Sequence, residues 1–131
     1  MVLTGRCRCG AIHYSAEGEP SHSALCHCAD CRRSSGAPVV GFALFPAERV
    51  AISGRPTDYE SSPGIIRQFC GTCGTGLFYR NEAVFPGQID IHTATLDDPE
   101  ALPLQVRIQL AEAPSWFAGF QTLPAFERYP A

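Results

Sequence analysis

The seven cysteines of this 131-residue chain fall into three short clusters, CRCG (7–10), CHCADC (26–31) and CGTCG (70–74). An odd number suits a full disulfide framework poorly, and a reducing compartment keeps thiols free. Cysteines clustered this tightly favour metal. A chain built this way is expected to be stapled by metal between distant segments.

The seven divide by spacing into four plus three. Cys70 and Cys73 form a C-x-x-C knuckle with a glycine after each cysteine. Such a turn lets two thiolates face one ion while backbone N–H groups approach the sulfurs. Cys7 and Cys9 supply the other half: in an extended strand, residues i and i+2 share a face, and a slight bend brings both sulfurs onto one ion. Cys7, Cys9, Cys70 and Cys73 then make a closed zinc site, and closed four-ligand sites are structural.

Cys26, Cys28 and Cys31 remain. Three protein ligands with an open fourth position is the pattern of a catalytic zinc. His22, His27 and Asp30 are the residues that would close it into a second structural site, although His27, lying between two ligands, is expected to point away. A metal-free cluster or a disulfide is the other alternative. An open three-thiolate zinc carries net negative charge and is a weak Lewis acid. Activating water suits it poorly. Exchanging a thiol ligand, lowering that thiol's pKa and presenting it to an aldehyde suits it well. Arg32 and Arg33 follow directly. They either offset the site's charge, clamp a substrate carboxylate through paired N–H bonds, or form a solvated face.

The rest of the chain narrows the choices. Its ten basic residues are all arginine, which removes a lysine imine as a way to handle a carbonyl. Net charge is −3 with no basic block, so neither nucleic acid nor a membrane surface is indicated. No run is long and apolar enough to span a bilayer and no export signal is evident, so a cytoplasmic location is expected. Prolines and glycines are scattered, so residues 1–131 are read as a single domain. Short β-rich segments lie at 11–16, 39–45, 49–53, 65–70, 75–80, 88–94 and 105–111, with strict alternation in QIDIHTA. A short helix is expected from Ala29 to Gly36, the glycine as its C-cap, and a helical turn around Pro114 to Gly119. The fold class is therefore mostly β: short antiparallel strands with one or two helical turns. Trp116 and Phe117 are read as core or a C-terminal plug, with a pocket wall as the alternative. Asp97, Asp98 and Glu100 read as a solvated turn, and His92, on a strand with Asp90, as structural.

The motifs in order are G-x-C-x-C-G (Gly5 to Gly10), C-H-C-x-x-C-R-x-x-x-G (Cys26 to Gly36) and F-C-x-x-C-G-T-x-L (Phe69 to Leu77). TLDDP (95–99), P-x-W (Pro114 to Trp116) and LPAF (123–126) follow. The chain resembles the glutathione-dependent formaldehyde-activating enzyme family, of Mss4-like zinc-containing β fold, from about residue 2 to about residue 126. The resemblance implies a structural zinc on Cys7, Cys9, Cys70 and Cys73 and a functional zinc on Cys26, Cys28 and Cys31, two per chain. It also implies a carbon–sulfur lyase activity that joins glutathione to formaldehyde as S-hydroxymethylglutathione. Gln105 to Arg107 departs from the family's more usual histidine and aromatic there.

A small thiol and a small aldehyde are thus the expected partners, with Arg32 or Arg33 steering the thiol's carboxylates. The rival reading is a non-catalytic zinc module that binds a thiol or a protein. Small β domains with exposed edges often pair, so a homodimer is a candidate assembly.

Overall fold

The computed structural model describes residues 1–130. Ten strands form two sheets. The smaller sheet joins β1 (Val2–Arg6), β2 (His13–Glu17) and β5 (Val50–Ser53), in that order. The larger contains β3 (His22–Cys26), β4 (Val40–Pro46), β6 (Thr57–Ser62), β7 (Ile65–Phe69), β8 (Gly76–Asn81), β9 (Gln88–His92) and β10 (Val106–Ile108). Its order is β10-β3-β4-β9-β8-β7-β6. All pairings between strands are antiparallel except β10 against β3, which is parallel. The chain is mostly β, as the short punctuated segments lead one to expect. Helix is confined to α1 (Ala29–Ser35) and four short 3-10 segments, more turns than the sequence announces.

The pleat explains where each face goes. Along β9, Ile89 and Ile91 point one way and join Ala43, Phe45 and Phe78 against Leu3, Tyr14 and Ala16 of the smaller sheet. That layer is the main core, and burial of its apolar surface is the chief stabilising term. The opposite face of the large sheet carries a second, smaller cluster of Cys26, Cys31, Val40 and Phe42, with Cys28 and Tyr79 against it. Helix α1 lies on this outer face. Its N-cap is Cys28, whose Sγ accepts from the Cys31 N–H at 3.2 Å. Gly36 ends it in the left-handed region at φ 70°, as a C-cap glycine should.

In β8, Leu77 and Phe78 are both buried in the main core. A register shift between Gln68 and Phe69 of the neighbouring strand permits this, and it turns Gly76 toward His92.

Candidate metal and thiol site

The sulfurs of Cys7, Cys9, Cys70 and Cys73 converge within 4.8 Å of one another. The expected extended geometry at Cys7 and Cys9 is not what brings them together. Strand β1 stops at Arg6, and the chain then folds into a turn. The Gly10 N–H donates to the Cys7 carbonyl at 3.2 Å, and the Ile12 N–H donates to the Cys7 Sγ at 3.3 Å. This is a knuckle like the Cys70–Cys73 turn, where the Cys73 N–H faces the Cys70 Sγ at 3.5 Å. Backbone donors aimed at sulfur favour the thiolate. Cys73 is pulled down to about 5, chiefly by the Thr75 hydroxyl and then by its backbone. Cys7 and Cys70 lie in the main core, so this cluster ties the end of β1 to the β7–β8 turn.

Cys26, Cys28 and Cys31 form the second cluster, also within 4.8 Å, on the outer face. Among the described residues no fourth histidine, cysteine or carboxylate joins it. None of the candidates to close it joins the three sulfurs. His22 starts β3 and packs near Phe85 at 6.0 Å. Asp30 pairs with Arg67 at 2.6 Å. His27 is buried and turned away, as expected: its Nε2 accepts from the Arg107 Nε at 3.3 Å and its ring meets Phe117 edge-on at 5.2 Å. Burial, then Arg107 and Arg32, hold it neutral.

Both clusters fit a thiophilic cation. Burial first of all pushes the Cys26 and Cys31 thiols up from their ordinary value. Left alone, such thiols resist ionising, and a nearby cation is what converts them to thiolates. One protein cation is already present. The Arg67 Nη2 lies 3.7 Å from the Cys31 Sγ and 2.6 Å from the Asp30 carboxylate, and its guanidinium stacks over Tyr79 at 4.9 Å. Arg67 is a residue the sequence reading missed. A lone arginine in IIRQF carries no visible instruction until β7 places it beneath α1.

The two arginines singled out from the sequence part ways. The Arg32 Nη1 donates to the His27 carbonyl at 2.6 Å and to the Glu112 carbonyl at 2.7 Å, so it anchors residues 110–112 over the helix. The Ala29 N–H completes that clasp by donating to the Glu112 carboxylate at 3.1 Å. Arg33 is exposed. Strand β10 brings Arg107, in the stretch where the family pattern lapses, against His27. Phe117 acts as a plug over His27, whereas Trp116 is 59% exposed and belongs to no core.

Beside Arg67 a half-open cavity of about 720 Å³ runs between the end of α1 and strands β6, β7 and β8. Ser34, Tyr59, Phe69, Gly76 and His92 line it. A Cβ at Gly76 would approach the His92 ring to 3.2 Å, so the glycine keeps that wall open. His92, read from the sequence as structural, is therefore also a cavity wall.

Residues 2–111 match the family described as glutathione-dependent formaldehyde-activating enzyme. A Schizosaccharomyces pombe protein named an uncharacterized lyase is 35% identical over 75 residues, 57% of this chain and 55% of its own length. The chain thus spans about half the length of that relative. A Halomonas elongata protein, provisionally named a glutathione-dependent formaldehyde-activating enzyme, is 27% identical over 129 residues, covering 88% of this chain and 80% of its own. A Rhodobacter sphaeroides protein of known crystal structure superposes with a TM-score of 0.59 at 23% identity, over 79% of this chain and 98% of its own. That likeness concerns the fold alone.

Proposed function

This chain belongs to the glutathione-dependent formaldehyde-activating enzyme family, and from that premise we propose that it joins glutathione, or a similar small thiol, to formaldehyde or another small aldehyde at Cys26, Cys28 and Cys31. The product is an S-hydroxymethyl adduct, or its homologue from a larger aldehyde, and the reverse direction is a carbon–sulfur lyase reaction. The observation that carries this reading is the convergence of three sulfurs with no fourth protein ligand atom among the described residues. Cys7, Cys9, Cys70 and Cys73 would hold a separate, structural zinc.

Cys26, Cys28 and Cys31 would hold the zinc, which would supply a soft cation able to lower the pKa of an arriving thiol and keep it nucleophilic. The chain's own residues do the rest. The Cys31 N–H fixes the Cys28 sulfur at the helix start, and Arg67 offsets the thiolate charge at Cys31. Arg33, exposed one turn into α1, would meet a carboxylate of the thiol, while the Arg32 Nη1 is engaged by the His27 and Glu112 carbonyls. The thiol sulfur bonds to the carbonyl carbon. The carbonyl π pair moves to oxygen, which takes up a proton in place of the one the thiol releases. No oxidant or reductant is consumed. We place the reaction in the cytoplasm, where free thiols persist.

The test is the rate of adduct formation between glutathione and formaldehyde, followed by NMR exchange against the uncatalysed background. Wild type should exceed background, and Cys28→Ser should fall to it while keeping the wild-type circular dichroism. Equal rates in the two proteins would end the proposal. A wild type that never exceeds background would favour the binding-module reading instead.

A further inference from the structure

The cavity beside Arg67 is far larger than formaldehyde requires. A water molecule's share of liquid volume is about 30 Å³, and formaldehyde is only one carbon and one oxygen. The cavity's volume of about 720 Å³ falls within the range of sites that hold whole organic ligands.

Its wall is poor in free charge. Among the described residues, the only charged side chains that line it are Arg67 and Asp58. Arg67 is committed to Asp30 at 2.6 Å and to the Cys31 sulfur at 3.7 Å. Asp58 accepts from the Gln68 amide at 2.9 Å and adds negative charge. His92 is held neutral at physiological pH, pushed down to about 4 by burial and then by Arg67. Most of the remaining wall is carbon, with half-buried Phe69 and Gly76 and exposed Ala94 among its residues. A dicarboxylate such as glutathione finds no unpaired cation in this space. An apolar chain or ring finds surface to bury.

None of the three cysteines lines the cavity; Arg67 is what stands between it and Cys31. Ser35, one helical turn beyond Cys31, lines it and donates to the Cys31 carbonyl at 2.8 Å. His92 meets Phe42 edge-on at 4.9 Å, and Phe42 packs with Cys26 and Cys31.

Building on the reaction proposed above, we propose that the carbonyl partner is an apolar aldehyde, an alkyl or aryl one, whose tail occupies this cavity while the thiol approaches from the Arg33 side. Burying a methylene is worth about 0.8 kcal/mol, or about fourfold in affinity. The prediction follows in two readouts. With glutathione as the fixed thiol, kcat/KM should rise along acetaldehyde, butanal, hexanal and octanal by up to about fourfold per methylene. Octan-1-ol, which cannot react, should bind the same protein and compete with octanal. Ala94→Phe, at the exposed side of the cavity, should cost octanal at least about tenfold more than it costs acetaldehyde.

A flat series, no binding of octan-1-ol, or an Ala94→Phe effect equal for every aldehyde would overturn the inference. Formaldehyde and acetaldehyde turning over as well as octanal would do so while leaving the proposed reaction intact. Octan-1-ol binding to wild type but not to Ala94→Phe, with no aldehyde reacting, would overturn the proposed reaction instead and support the apolar preference of the cavity.

Discussion

Arg67→Met isolates the protein's own contribution to the three-cysteine cluster. Methionine keeps an unbranched apolar stem of similar reach, so the wall between α1 and β7 stays filled while the charge is removed. At 3.7 Å from the Cys31 sulfur, a unit charge in a surrounding of effective dielectric about 20 is worth about 4 kcal/mol to a thiolate. Asp30 opposes part of this from 2.6 Å, but at 62% exposure it is screened by solvent, whereas Arg67 is 10% exposed. A third to a half of the interaction surviving leaves about 1.4 to 2 kcal/mol. That corresponds to a 10- to 30-fold loss, within the ~10–100-fold usual for removing a group that supports metal ligands. The assay is zinc competition against a chromophoric chelator, which resolves the weaker site from the tighter one. Arg67→Met should weaken one site by that factor and leave the other unchanged. Asp30→Asn should leave both unchanged or tighten the affected site, because it frees Arg67 for the thiolate. Equal losses at both sites, or none at either, would refute the electrostatic role given to Arg67.

Two further predictions concern stability. Asp90 is buried, its Oδ1 has no partner among the described residues, and burial pushes it up to about 7 from an ordinary 3.8. A carboxyl with a raised folded pKa is neutral and harmless at low pH, and its cost grows as pH climbs from about 4 to about 7. Asp90→Asn should therefore stabilise the protein at pH 8, by at most about 4 kcal/mol, and much less at pH 4.5. Urea unfolding at the two pH values checks this, and equal gains at both would contradict the cause assigned. Cys73→Ser should cost folding itself, because its cluster closes the long loop from Cys7 to Cys70. Loss of the cooperative thermal transition in that variant, but not in Cys28→Ser, is the expected contrast.

The parts of this fold that were legible in the sequence are those whose physics is local. C-x-C and C-x-x-C spacing limits which sulfurs can meet, so both cysteine clusters could be drawn before any strand was placed. QIDIH alternates because β9 has two different faces, one toward the main core and one toward the site. Cys28 and Gly36 bracket α1 with signals carried in the same short stretch. What stayed hidden depends on distant neighbours. Strand β6, TDYESS, is polar and exposed at a sheet edge and is defined only by pairing with β7. Strand β3 buries Ser23 and Ala24, residues whose size does not announce a central strand. The meaning of Arg67 lies in the packing of α1 across β7, that of His92 in the space left by Gly76, and that of Arg107 in a parallel pairing with β3. Arg32, adjacent to the cluster in sequence, turned out to be a clasp for residues 110–112, since its position on α1 points it at two backbone carbonyls.

The division of seven thiols into a closed four and an open three is the centre of this account. The most direct measurement is zinc per chain in protein purified without chelator, for wild type and for Cys28→Ser. Two ions per wild-type chain and one per Cys28→Ser chain, with the variant still folded, is the predicted result. One ion in both proteins would contradict it, because the three-cysteine cluster would then hold no metal for a thiol to meet.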